Sequence, residues 1–296
     1  MRKAAIWLFF IMIVSYSIAF SAVKDMHISW DEVNGIVVSD GVVLFEESER
    51  MNILESENAS LEGVQTIQVK GISADIQLIS EERSDAVVEF KGHYSASGNY
   101  TAPQLIVEQD DDALLIEIKH KKQLVSPRRM SLDLLVILPE TFTKDIRIES
   151  ISGQVQFENG SYENVEVSTV SGEVKTRTLK ADKLDVKSTS GEVDIDSASG
   201  KVSASTVSGD IEVRYNLVDG KSDLKSTSGD IRMSIPDDAA FGLEVKTTSG
   251  EIEPYPEMYI DKLTDRKLQG HVGDYEYSIK ASTVSGDVMI RRTVGE

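Results

Sequence analysis

Six carboxylates recur at one fixed place in this sequence. Glu173, Glu192, Asp210, Asp230, Glu251 and Asp287 each directly follow a Ser-Gly pair, and Gln154 takes the same place in a seventh copy. A file of carboxylates could bind calcium or a cationic ligand. Calcium needs about six to eight converging oxygens. One carboxylate per copy does not supply them, and the Gly-Gly-x-Gly-x-Asp calcium-roll phrase is missing. The file is therefore expected to be solvated charge at an exposed corner, with no metal and no cofactor. Charge at such a corner also discourages edge-to-edge association. On this reading, replacing Asp210 and Asp230 together by Asn is neutral or slightly stabilising.

Hydroxyls repeat just before the glycine. Three residues ahead of it stand Ser150, Thr169, Ser188, Thr206, Ser226, Thr247 and Thr283, and the residue directly ahead is always Ser. Strand parity places both columns on the side of the apolar residues, where hydroxyls can bond to one another and to free backbone groups. An exposed Thr-x-Ser array that orders water, as on ice-binding solenoids, would need that parity to break at the corner.

Other chemistry is sparse. His27, His93, His120 and His271 show no ligand spacing, and the sequence contains no triad signature, phosphate loop or zinc motif. "GHVGDYEY" is Gly-rich but opens no helix, which argues against a phosphate site. "KHKKQLVSPRRM", 119–130, is a basic stretch on an acidic chain. It could dock an anionic glycan or a protein partner, or simply offset the nearby "EQDDD". No catalytic, cofactor-binding or metal-ligating residue is assigned.

The elements that carry these files follow from spacing. The glycines are Gly153, Gly172, Gly191, Gly209, Gly229, Gly250 and Gly286, separated by 19, 19, 18, 20, 21 and 36 residues. Periods near 20 mark stacked-repeat folds. Apolar residues alternate with polar ones on both sides of each glycine. Val155, Val174, Val193, Ile211, Ile231, Ile252 and Val288 follow it by two, and Ile148, Val167, Val186, Ala204, Leu224, Val245 and Ala281 precede it by five. This is strand periodicity with one buried face. Each copy reads as strand, Ser-Gly corner, strand, return, with the glycine supplying a backbone conformation that a Cβ resists. Asn159-Gly160, Ser199-Gly200 and Asp219-Gly220 mark a second corner. One copy cannot bury a core alone, but stacked copies extend a common one. The fold class is all-β: a parallel β-solenoid, β-helix-like, with coils of about 19–20 residues.

The copy nearest the start, "TIQVKGISADIQL", places Ala74 at the glycine position, so the repeat domain is assigned to 60–294. Its period lapses at 80–140, where irregular strands are expected, and a loop insertion at 254–278 accounts for the widest gap. Residues 22–59 comprise an N-terminal β segment with a polar link, "EESERMNILESENAS". Residues 1–21 read as a signal peptide: Arg2 and Lys3, an apolar run, then Ala19-Phe20-Ser21 with cutting before Ala22. The rival is an uncleaved anchor over residues 4–22, just long enough to span a bilayer and tether the chain to the cytoplasmic membrane. Either way the basic end stays inside and the rest is exported to the periplasm or cell surface.

Composition narrows the partners. The chain is 40% hydrophobic and 27% charged, which suits a globular protein, and its 6% aromatic content leaves Val, Ile and Leu to build the core. A formal charge of −19 repels nucleic acid, so none is expected as a partner. With no Cys, disulfides, thiolate chemistry and an acylated-Cys anchor are all excluded.

The words "VKGISADIQLIS", "LLVILPETFTKDIRIESISGQV", the "STVSGEV" series and "GHVGDYEYSIKASTVSGDVMI" together resemble the bacterial "putative adhesin" β-strand-repeat family, over about 60–294. That resemblance implies a β-solenoid in the cell envelope and carries over no catalytic residues, because the family defines none. The function expected is non-enzymatic: an exported adhesion or scaffolding surface that contacts an envelope protein or glycan. One rival is a module that engages an envelope stress-sensing system. Another is a polysaccharide-cleaving β-helix enzyme, which would gather acids and bases in one groove, whereas the acids here follow the repeat.

The mature protein is expected to begin at Ala22. N-terminal sequencing of the exported form checks this, and Met1 retained in the membrane fraction would establish the anchor instead.

Overall fold

A computed structural model of the chain describes residues 37–39, 42–44, 50–96, 100–121, 127, 129–255 and 257–293. The signal-peptide assignment, His27 and much of the basic stretch lie outside these residues. No helix occurs among them. The chain divides into two compact units. In the first, Val37–Ser39 and Val42–Leu44 form an antiparallel hairpin. The second, Met51–Tyr94 with Ala102–Lys121 and Met130–Glu296, holds nearly all of a 21-stranded, mostly parallel sheet.

Its registers follow the repeat. Before the corner, Ile146 pairs with Val165, Val165 with Leu184, and Leu184 with Val202, all in parallel strands. After it, Leu78 pairs with Phe157, Phe157 with Thr176, Thr176 with Ile195, and Ile195 with Val213. Like residues thus lie on like residues, and the period-two pattern puts them all inside. The residues two after the glycine are buried in every copy but one, Ile252 at the sheet's end. Thr176, the one hydroxyl among the buried residues four after the glycine, both accepts from Asp196 N and donates to Asp196 O.

Three regions differ from the expectation. The 80–140 stretch, where the sequence period lapses, still completes a rung. Ala113–Lys119 pairs with Thr66–Ser73, and Arg129–Pro139 with Asp75–Glu81, in the parallel register of the other copies. Insertions hide that rung in the sequence. The supposed polar link contains a strand, Arg50–Ala59. It is an edge strand of which Ile53 is buried while Met51 and Leu54 are exposed, so apolar alternation is weak.

The 254–278 segment is not a loop. Tyr259–Thr264 and Lys267–Val272 form an antiparallel hairpin, and its second strand pairs with Phe241–Lys246. The chain then returns, and Ser278–Ser282 inserts between Ser222–Ser228 and Phe241–Lys246, parallel to both. Val288–Arg292 likewise lies between Ile231–Ile235 and Ile252–Glu253. The last copy in sequence is therefore the penultimate one in space.

The corner glycines stack in that spatial order. A Cβ on Gly172 would lie 2.1 Å from the carbonyl oxygen of Gly153, one on Gly191 2.0 Å from Gly172 O, and one on Gly229 2.0 Å from Gly209 O. Gly286 meets Gly229 O at 2.2 Å and Gly250 meets Gly286 O at 1.9 Å. Among the seven, only Gly153 (φ 107) and Gly209 (φ 159) have positive φ. Close approach of backbone to backbone requires glycine at all seven corners, and at Gly153 and Gly209 the positive φ requires it as well. The second corner repeats the device: a Cβ on Gly220 would lie 2.2 Å from Gly200 O.

Gly191→Ala should cost about 1–3 kcal/mol, the usual range for overpacking, although its φ is ordinary. Exposed Ser190→Ala should be near neutral. Denaturant midpoints measure both, and an unchanged midpoint for Gly191→Ala would show that the rungs are not in contact at this corner.

Candidate functional site

The residues with chemical potential converge on the Ser-Gly corner, where one copy's backbone meets the next. Parity holds for the first hydroxyl column and breaks for the second. Ser150, Thr169, Ser188, Thr206, Ser226, Thr247 and Thr283 are buried, with 5–8% exposure. The serines directly before the glycine are exposed, except for half-buried Ser152. The corner turns there, so both residues ahead of the glycine face outward.

The buried column bonds to the glycines. Thr206, Ser226, Thr283 and Thr247 donate to the carbonyls of Gly191, Gly209, Gly229 and Gly286 at 3.3, 3.1, 3.0 and 3.1 Å. In each case the acceptor belongs to the adjacent copy in space. Thr169 instead accepts from Gly172 N at 3.0 Å. Ser188 Oγ is buried with no partner.

The acidic file divides by residue type. Each aspartate accepts the backbone N–H of the next copy: Asp75 from Gln154, Asp210 from Asp230, Asp230 from Asp287, and Asp287 from Glu251, at 2.8–2.9 Å. Glu173 instead takes Gln154 Nε2 at 3.1 Å and Lys175 Nζ at 2.6 Å. Arg232 bridges Asp210 and Asp230, with 2.7 Å to each. The expectation of merely solvated charge is corrected for the aspartates. They hold neighbouring copies together, and the repulsion between Asp210 and Asp230 is answered by a guanidinium. Asp75 follows Ala74, the residue at the glycine position of the first copy, and so extends the file, whereas Arg232 did not stand out in the sequence. The one signal was that the file changes from Glu to Asp at the copies where the shorter carboxylate is used.

Two members of the file titrate in opposite directions. Partial burial opposes ionisation of Asp210, but hydrogen bonds from Arg232 and from Asp230 N outweigh it and hold the carboxyl below its usual range. Burial, then the charges of Glu173, Asp210 and Asp194, push the Glu192 carboxyl up.

The remaining candidates do not converge. His93 and His120 are not brought together with His271, and burial pushes the half-buried His120 down. His271 lies 3.5 Å from Asp261 and between the rings of Tyr259 and Tyr275. An open cleft of about 470 Å³ runs beside Gly63 and Lys144. Among the described residues no group of three or more His, Asp or Glu is placed to hold a metal ion.

The stretch that carries these corners matches a known family. Its profile, described as Toastrack DUF4097, fits residues 130–291, more than half of the chain. The chain belongs to the Toastrack DUF4097 family. The resemblance read from the sequence stands, and the Toastrack region contains every corner from Gly153 to Gly286. No curated protein matches. Among solved structures, the chain is similar to "a putative cell adhesion protein" from Clostridium sporogenes (13% identity, TM-score 0.38, 83% of this chain and 100% of that one). It is also similar to "a putative adhesin" from Bacteroides fragilis (12%, 0.39, 81% and 97%) and to a "putative lipid binding protein" from Parabacteroides distasonis (16%, 0.35, 81% and 97%). Identities and TM-scores this low carry no weight for function.

Asp210→Ala should lower stability by about 1 kcal/mol at neutral pH, after solvent screening of a half-exposed group. Because the folded state favours ionised Asp210, this contribution is complete above the unfolded pKa and is lost as pH falls through the lowered folded one. Glu192 has the opposite sign, so Glu192→Gln should be neutral or slightly stabilising at pH 7 and should lose that advantage in acid. Urea midpoints from pH 3 to 7 check both, and calcium against chelator at matched ionic strength should leave them unchanged.

Proposed function

We propose that this Toastrack chain is a parallel β-solenoid, exported to the cell envelope, that acts without catalysis as an adhesion or scaffolding surface. One observation carries the reading: the repeated polar residues are used to join copy to copy. Buried hydroxyls donate to glycine carbonyls, and the aspartates accept the next copy's N–H. A polysaccharide-cleaving site would instead need carboxylates free of such duties and gathered in one groove. A regular file of rungs offers the same side-chain pattern at each step, which suits contact with an extended partner, either an envelope protein or a glycan polymer. The basic start and apolar run of residues 1–21 support export.

The test uses cells expressing the full chain with a C-terminal epitope. External protease acting on intact cells or on spheroplasts should remove the epitope, and the purified chain should bind isolated envelope without releasing soluble sugar from it. Protection of the epitope until lysis would overturn export, and release of reducing ends by the purified chain would overturn the non-enzymatic reading.

A further inference from the structure

The larger sheet stops at Tyr259–Thr264 with an unused edge. This strand pairs on one side with Lys267–Val272, and its other side meets no strand among the described residues. All six of its residues are exposed. Leu263 pairs with Leu268, which is 0% exposed, yet Leu263 is 54% exposed, and Ile260 beside it is 46% exposed. These two side chains continue the core face beyond the point where the core ends. On the opposite face a file of rings crosses the strands. Tyr275 lies 5.7 Å from His271, which is stacked on Tyr259 at 5.5 Å and 21°. Tyr259 ends the file at 70% exposure.

Charge narrows the occupant. Tyr259–Val272 carries Lys262, Arg266 and Lys267 against Asp261 and Asp265, one excess positive charge on a chain of −19. Two copies can meet here without the repulsion that holds their other surfaces apart. The hairpin at the sheet's other end, Gln104–Asp110 with Ala113–Lys119, has the opposite character. It carries Glu108, Asp110, Asp111, Asp112 and Glu117 against Lys119. Its edge is also blocked, because Glu55 accepts Leu105 N at 3.0 Å.

We propose that Tyr259–Thr264 is a homodimer interface, in which two copies pair this strand antiparallel about a two-fold axis. Such pairing brings Asp261-Lys262 of one copy beside Lys262-Asp261 of the other and sets Ile260 of each copy against Leu263 of the other. An interface that uses one surface twice closes at two copies.

The chain has no cysteine, so introduced cysteines report only on their own positions. In full-length protein under mild oxidation, the double variant Ile260→Cys with Leu263→Cys should give a covalent dimer as the main product, because position 260 of one copy faces position 263 of the other, while either substitution alone and Val107→Cys at the other end should give little. In sedimentation, Leu263→Lys should weaken the dimer by about tenfold or more, as expected for a central interface residue. At concentrations low enough for both proteins to be monomeric its unfolding midpoint should match that of the unsubstituted chain, because the side chain is already half-exposed there. A monomer at all concentrations with no cross-link would overturn the proposal. So would ladders of higher species formed only when Val107→Cys and Leu263→Cys share a chain, which would indicate head-to-tail growth. Cross-linking chiefly to a different protein in cell extract would also overturn it.

Discussion

Backbone contact at one corner governs this structure. Each Ser-Gly glycine lies so close to a carbonyl of the adjacent copy, that of Ala74 for Gly153 and of a glycine for the other six, that no Cβ fits between them. Parallel strands lie about 4.8 Å apart, and a chain that turns within that spacing must turn with a residue that adds nothing to its own backbone. The other regular features answer this contact. In four copies the hydroxyl three residues before the glycine bonds to the carbonyl exposed by the approach, and where an aspartate follows the glycine it takes the next copy's N–H. Buried or half-buried polar backbone groups need such partners.

The repeat was legible because the strand period and the glycine spacing agree over five intervals, from Gly153 to Gly250. The apolar positions on either side of Gly172 and Gly209 are core residues, as alternation requires. The reason for the glycine was not legible, since a sequence shows that a Cβ is absent but not what would have met it. Nor was the outward turn of Ser171 and Ser208, because strand parity extrapolates only while the chain remains a strand.

Spatial order was hidden too. A gap of 36 residues resembles an insertion after the last copy. The chain instead lays a hairpin on Phe241–Lys246 and slides its final copy in beneath it. Ile279 and Ala281 have the same apolar pattern as Leu243 and Val245, so alternation alone fits either order. The division of the acidic file was written in the sequence, but only side-chain length gives it meaning. The shorter Asp reaches the next copy's N–H, whereas Glu173 extends to Lys175 and Gln154.

The central claim is that the corner's polar residues serve to join copies. Site-resolved amide hydrogen exchange on the folded protein tests it most directly. The account predicts slow exchange at Gln154, Asp230, Glu251 and Asp287, whose N–H groups are held by an aspartate, and fast exchange at Glu173, Glu192 and Asp210, where no aspartate holds the N–H. Equal rates at all seven positions would contradict it and return the acidic file to the role of solvated surface charge.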